Sequence, residues 1–297
     1  MELNNTYSNL GHPFVVESLI QTSERGYALV GWSSINVTSG SGTDWIVKTD
    51  ATGNKQWEKT YNGSFVNAIV EADDGGYVMT GWGMTSDLNG SLIKTDLNGN
   101  IRWNKTYGIA NSLAKTEDGG YLLAGNDQRI AWMVKTDSNG DPQWSNNYAI
   151  GGGGNFILSA APTSDGGYVA AGLTLLTDDL SAWVVKTNSS GNIEWNGIYE
   201  SDISKNNIAG SIIETNDRGY VFTGSKDGES DEFGNVWLVK ISSLSSSDQN
   251  QLNIISASEI FLVVIVTSII LISVAVIILL KQKRKRNSRK NKRNSRT

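Results

Sequence analysis

The dipeptide Gly-Tyr recurs five times, at Gly26-Tyr27, Gly76-Tyr77, Gly120-Tyr121, Gly167-Tyr168 and Gly219-Tyr220, with spacings of 50, 44, 47 and 52 residues. A period of this size constrains the fold more than any other feature of the chain. It means one small unit, unable to bury its own apolar face, repeated and stacked on its neighbours. Downstream of each pair lies an apolar stretch that ends in lysine: WIVK to Lys48, SLIK to Lys94, WMVK to Lys135, WVVK to Lys186 and WLVK to Lys240. After four of these comes a turn with Gly or Asn and then Trp-x-x-x-Tyr, giving Trp57/Tyr61, Trp103/Tyr107, Trp144/Tyr148 and Trp195/Tyr199.

Each unit parses into four strands, A to D. In the second, Phe65–Ala72 is strand A, Tyr77–Trp82 strand B, Ser91–Asp96 strand C and Ile101–Tyr107 strand D. Asp73-Asp74-Gly75-Gly76 and Leu97-Asn98-Gly99-Asn100 supply the hairpin turns, because Gly and Asn tolerate positive φ. Four strands in 40–50 residues is the size of a propeller blade. The expected fold is therefore all-β, a β-propeller of five four-stranded blades over residues 1–241. The fifth unit lacks its Trp-x-x-x-Tyr strand, and Leu3-Asn4-Asn5-Thr6-Tyr7 matches that pattern. The N-terminal strand is expected to complete the last blade and close the ring, removing exposed sheet edges. A fragment of a larger ring is the competing reading.

Ile260–Leu280 is a run of 21 residues without charge, Pro or Gly. A helix of that length spans about 30 Å, the hydrocarbon thickness of a bilayer. It predicts one C-terminal transmembrane helix, joined to the propeller by a Ser-rich stalk over 242–259. The basic tail 281–297 carries ten Lys/Arg and no acid, which places it on the cytoplasmic side and the propeller outside. The same tail, Lys281–Arg296, is a candidate contact for anionic lipid. The first five residues have none of the features of a signal peptide, and a tail-anchored protein with a cytoplasmic body is the second-ranked topology.

Charge and composition exclude several functions. The tail leaves 15 basic against 30 acidic side chains in the first 280 residues, a balance that repels nucleic acid. Without cysteine, and with His12 the only histidine, thiolate chemistry, disulfides, histidine metal clusters and most histidine triads are ruled out.

The pattern DGGY…W-x-VKTD-x-x-G-N-x-x-W-x-x-x-Y resembles the repeats of prokaryotic, notably archaeal, cell-surface β-propeller proteins. Thr49–Trp57 is also similar to the tryptophan-bearing motif of quinoprotein-type propellers. The resemblance covers residues 1–241 and implies fold and a surface location. It brings no functional residues with it.

Residues present in every unit are read as scaffold. The tryptophans of strands C and D are expected between neighbouring blades. The five lysines are expected to pair with acids at the A–B turn such as Asp74, Asp118 and Asp165, the alternative being cations lining a central channel. Asp137-Ser138-Asn139-Gly140-Asp141 resembles the start of a calcium loop, but Tyr148 occupies the position of the distal acid, so a plain hairpin is favoured and calcium is the only cofactor candidate. Function is expected on the varied loops between strands B and C. Their acids Asp87, Asp127, Asp178, Asp179, Glu229, Asp231 and Glu232 are the candidate ligand-binding residues, able to gather a metal ion or a basic partner. No catalytic residues are assigned. Six sequons, at Asn4, Asn36, Asn62, Asn89, Asn104 and Asn188, are glycosylation candidates that fit an exterior location. A non-enzymatic binding or adhesion scaffold for protein or glycan ligands is the first functional expectation. A carbohydrate-binding or glycan-cleaving surface protein is the second, and a quinone-dependent dehydrogenase the third.

Overall fold

The computed structural model describes residues 4–7, 14–36, 41–62, 65–82, 90–151, 153–175, 179–199, 206–226 and 235–242. These form five antiparallel sheets in chain order, a β-propeller-like all-β fold. Sheet 1 is β1 (Phe14–Gln21), β2 (Tyr27–Asn36), β3 (Ser41–Thr49) and β4 (Lys55–Asn62). Sheet 2 is β5 (Phe65–Glu71), β6 (Tyr77–Trp82), β7 (Gly90–Thr95) and β8 (Ile101–Tyr107). Sheet 3 is β9 (Ala110–Lys115), β10 (Tyr121–Asp127), β11 (Ile130–Thr136) and β12 (Pro142–Tyr148). Sheet 4 is β13 (Asn155–Pro162), β14 (Tyr168–Leu175), β15 (Leu180–Thr187) and β16 (Ile193–Tyr199). Sheet 5 has three strands, β17 (Asn207–Glu214), β18 (Tyr220–Lys226) and β19 (Asn235–Ile241). In each, neighbours in sequence are neighbours in space.

The repeated turn residues explain the meander. In the A–B turn of sheet 3 the Gly119 N–H donates to the Thr116 carbonyl at 3.0 Å, and the Thr116 N–H donates to the Gly120 carbonyl at 3.0 Å. Gly119 sits at φ 79°, a left-handed conformation that costs glycine little. Arg25 and Arg218 hold the same position in the outer sheets at φ 65° and 60°, so the turn survives without glycine there. The glycine of Gly-Tyr has a different reason. At Gly120 a Cβ would overlap the carbonyl oxygen of Thr136 and lie 2.6 Å from the Lys135 Nζ. The A–B turn and the third strand of the sheet approach too closely around this residue for a side chain.

Successive sheets stack through one repeated junction. Between sheets 1 and 2, Val30, Ile46 and Tyr61 meet Val66, Ile69, Tyr77 and Met79. Between sheets 2 and 3, Val78, Leu92 and Trp103 meet Leu113, Leu123, Trp132 and Val134. Sheets 3 and 4 join through Leu122, Met133 and Tyr148 against Ile157, Trp183 and Val185. Sheets 4 and 5 join through Val184 and Tyr199 against Ile212, Phe222 and Trp237. The tryptophans of strands C and D thus fill the junctions, where burying a large aromatic ring removes much apolar area from water. Trp57, Trp144 and Trp195 also meet Tyr77, Tyr168 and Tyr220 of the next sheet at 5.5–5.8 Å between ring centroids. The tyrosine that ends strand D fastens the outer edge. Tyr61, Tyr107 and Tyr148 donate to the carbonyls of Gly99, Gly140 and Gly191 in the next sheet at 2.7, 2.5 and 2.7 Å.

Three expectations are corrected. Among the described residues, ring closure by the N-terminal strand is not formed: Asn4–Tyr7 belong to no sheet, and sheet 5 has three strands. Tyr7 does donate to the Gly53 carbonyl at 2.5 Å, the contact of a strand-D tyrosine, but β19 has not met this segment. The physical reason is that a match in side-chain pattern fixes which surface a segment touches, not whether the far end of the array reaches it. Secondly, the B–C connection of the third unit, expected as a varied loop over Gly125–Ile130, is a two-residue turn. β10 and β11 pair as far as Asp127 and Ile130, leaving only Gln128 and Arg129, at φ 44° and 73°, as the turn. Thirdly, strand A of sheet 2 ends at Glu71 and strand C spans Gly90–Thr95, each one residue short of or before the expected bounds. The stalk from 243 onward, the segment Ile260–Leu280 and the basic tail lie outside the described residues.

Candidate functional site

Charge in the described residues is organised around the lysine that ends strand C. Lys135 is buried. Its Nζ donates to the Thr136 carbonyl at 2.6 Å, to Asp118 at 2.8 Å and to the Gln143 side chain at 2.9 Å. Lys186 is held likewise by the Thr187 carbonyl and Glu194, and pairs with Asp165 at 2.8 Å. Lys48 reaches Gln56 at 2.9 Å and Glu24 at 3.4 Å, Lys94 pairs with Asp74, and Lys240 with Asp217 at 2.5 Å. The lysines are therefore structural ties from strand C to the A–B turn and, for Lys48, Lys135 and Lys186, on to strand D. The channel-lining alternative fails for these side chains.

The C–D turns absorb a second set of acids. Asp137 Oδ1 accepts from the N–H groups of Asn139 and Asp141 at 2.9 and 2.8 Å. Asp50 accepts from Thr52 and Asn54, and Asp96 from Asn98 and Asn100, in the same way. The stretch that resembles a calcium loop is a hairpin whose leading carboxylate closes the turn. Hydrogen bonds from the side chain and backbone of Asn54, then from Thr52, bring the Asp50 carboxyl down to about 2. At Asp118 burial works to raise the value, and donation from Lys135, Thr116 and the Gly120 N–H outweighs it, again to about 2. Asp74 and Asp165 are lowered on the same balance.

These directions predict acid sensitivity. A carboxyl lowered in the folded state stabilises fully above its unfolded value of about 3.9 and loses that contribution as pH falls toward about 2. The melting temperature is expected to hold from pH 7 to about 4 and to fall steeply between about 4 and 2. In Asp118→Asn the fall should be shallower over that window, by differential scanning calorimetry. An unchanged slope would remove Asp118 from the acid transition.

Two clefts open among these turns, each between neighbouring sheets. One, of about 270 Å³, lies between sheets 3 and 4 and is lined by Glu117, Asp118, Gln143, Trp144, Thr163 and Tyr168, among others. Its Trp144 is half-buried, with the indole N–H donating to the Ser189 carbonyl at 3.0 Å. The other, of about 720 Å³, lies between sheets 2 and 3 beside Asp74, Asp96, Arg102, Trp103 and Tyr121. Its acids are engaged: Asp73 with Lys115, Asp74 with Lys94, and Asp96 with Arg102 at 3.2 Å.

Two of the acids singled out from sequence are described, and they sit at the other ends of the strands. Asp127 is exposed at the end of β10, and Asp179 is half-buried just before β15. Asp87, Asp178, Glu229, Asp231 and Glu232 lie outside the described residues. Among the described residues no cluster of three or more acidic or histidine side chains is placed to hold a metal ion. Of the sequons, Asn4 and Asn104 are exposed. Asn188 accepts from the Ser190 and Asn192 N–H groups in its turn, at 3.0 Å each. Asn36 and Asn62 end β2 and β4, and Asn89 lies outside the described residues. Sequence reasoning missed the clefts. Their signal was the strand-D tryptophans Trp103 and Trp144 recurring in register with the turn acids Asp74 and Asp118.

No family model matches the chain, and no curated protein does. Similar solved structures include a putative exo-β-1,3-galactanase of Bifidobacterium bifidum, 12% identical, covering 77% of this chain and 88% of that one, with a TM-score of 0.42. A β-xylosidase/α-arabinofuranosidase, CoXyl43, from a compost metagenome is 9% identical over 79% of this chain and 93% of that one, TM-score 0.43. A protein of unknown function from Dyadobacter fermentans is 10% identical over 75% and 74%, TM-score 0.48. The fold assignment rests on the sheets and their packing.

Proposed function

We propose that this chain is a non-catalytic binding scaffold of the propeller type, displayed outside the cell and held to the membrane by Ile260–Leu280. One observation carries the reading. The charged residues that repeat from sheet to sheet are engaged in holding turns and strands together, as Lys135, Asp118 and Asp137 are. Variation is concentrated in the loops between the second and third strands, where rigid scaffolds present their binding residues. The uncharged segment of 21 residues followed by ten cations supports the anchored, outward-facing topology.

A carbohydrate ligand is the second reading, favoured by the cleft between sheets 3 and 4. It offers an indole edge and a planar amide, Trp144 and Gln143, next to the carboxylates Glu117 and Asp118. Aromatic faces with a few placed polar groups are the usual lining of small-ligand sites.

The test uses the full chain in detergent micelles, applied to intact cells and to a glycan array. Binding to cells is expected to drop at least tenfold when Asp87, Asp178, Glu229, Asp231 and Glu232 are changed to their amides. Far-UV circular dichroism should be unchanged. A glycan signal that survives those changes and is lost in Gln143→Ala would replace the loop reading with the cleft reading.

A further inference from the structure

The four internal junctions bury the same positions each time, and this gives a measure for the two ends. Ile46, Leu92, Met133 and Val184 occupy one position on the face that each sheet turns to the next, and each is 0% exposed. In sheet 5 that position is Leu238, 72% exposed, and two residues before it Val236 is 87% exposed. On the opposite face, Val66 and Ile69 of sheet 2 are 2% and 3% exposed where they receive sheet 1. Their counterparts in sheet 1, by pairing register, are Val16 and Leu19, at 53% and 58%. The outgoing face of sheet 5 and the receiving face of sheet 1 are therefore the two halves of a junction made four times inside the chain.

A third feature fits the same junction. Among the described residues β19 has no fourth strand beside it, and Asn4–Tyr7 carry the fourth-strand pattern already seated on sheet 1. Tyr7 donates to Gly53 as Tyr61 donates to Gly99, and Asn5 also donates to Gly53, at 2.8 Å. Whatever sheet precedes sheet 1 must supply the third strand beside this segment. Among the described residues sheet 5 has that strand without a partner on its outer side.

We propose that these three open features form one interface between two copies of this chain. Sheet 5 of one copy packs on sheet 1 of the next, and residues 4–7 of the second lie along β19 of the first as its missing strand. Within one copy the two ends do not meet: Asn4–Tyr7 stay unpaired with β19, and the four apolar side chains stay in water. Two different surfaces meet, so the contact is heterologous. It closes into a ring or continues as a linear array according to the rotation between copies. Adding a strand to an open edge is the ordinary outcome for an unprotected strand of this kind. The proposal stands apart from any reading of the ligand.

Register supplies the test. Ile46 pairs with Lys59 inside sheet 1, so Leu238 should pair with Asn5 of the neighbouring copy. Both are exposed, and the chain has no cysteine of its own. Opposite residues on paired strands hold their Cβ atoms about 4.5–5.5 Å apart, close enough for a disulfide with small adjustment. Full-length Asn5→Cys and Leu238→Cys chains, carrying different tags, are mixed in detergent and oxidised. The expected product is a covalent heterodimer at least tenfold above either homodimer. Adding Leu19→Asp to the Asn5→Cys chain should cut that yield at least fivefold, with circular dichroism unchanged. In the double variant Asn5→Cys/Leu238→Cys, cross-linked dimers and larger species are expected on a non-reducing gel. A disulfide confined to single chains would mean that each copy closes on itself and would overturn the proposal. So would the absence of any cross-link.

Discussion

Asp74→Ala is expected to lower stability by about 3 kcal/mol, and Asp118→Ala by about 2 kcal/mol, in urea unfolding of the full chain. Both acids pair with the buried lysine of their sheet, and both accept a backbone N–H two residues on, from Gly76 at 3.0 Å and Gly120 at 3.2 Å. The backbone part of the turn contribution therefore cancels between them. Asp118 also accepts from the Thr116 hydroxyl at 2.6 Å, a neutral bond that counts for less than an acceptor on a buried cation. The larger difference is what remains around the cation. Lys135 keeps Gln143 and the Thr136 carbonyl. In sheet 2 the position of Gln143 is Arg102, which pairs with Asp96 instead, so Lys94 keeps the Thr95 carbonyl at 3.2 Å. The lysine side chains are 6% and 4% exposed, whereas the two carboxylates are 65% and 52% exposed. The loss is that of a buried cation left short of acceptors, because the removed acids stand largely in water. Equal effects, or the reverse order, would mean that the acids act through the turn alone.

The scaffold was legible because its physics repeats. Tyr77–Trp82 and Ile101–Tyr107 were read from pattern with the bounds the structure gives them. The lysine-to-turn pairing was legible too, since a cation at a fixed offset from an acidic turn needs a partner in every unit. Three things were not. Gln128-Arg129 makes a tight turn with two left-handed residues and none of the Gly or Asn that normally announce one. Ring closure depends on the angle between successive sheets, set by summed packing at four junctions, and no local pattern encodes it. The clefts combine turns from two sheets. A reading that treats each repeat separately sees Asp118 and Trp144 as ordinary members of their own strands and turns. The acids Asp87, Glu229, Asp231 and Glu232 were chosen for variation, which marks where a scaffold is free to differ without saying what it contacts.

The largest single effect is expected at the glycine before the repeated tyrosine. In Gly120→Ala the new Cβ would overlap the Thr136 carbonyl oxygen and press on the Lys135 Nζ at 2.6 Å. Neither can yield cheaply. The carbonyl belongs to Thr136, which is buried next to the buried Lys135, and the ammonium is fixed by Asp118, Gln143 and Thr136. Overpacking of this kind costs about 3 kcal/mol or more. The strain falls on both the backbone pairing and the buried ion pair of sheet 3. Gly210→Ala is the control. Gly210 lies at the bulge of β17, where the nearest atom to a Cβ is the Thr223 oxygen at 3.7 Å. There alanine only narrows the unfolded ensemble, and a gain of about 0.5 kcal/mol is expected. Both shifts are read as changes in the urea midpoint at constant slope. If Gly120→Ala unfolds at the wild-type midpoint, the five-fold recurrence of Gly-Tyr has a cause other than the close approach of strand C.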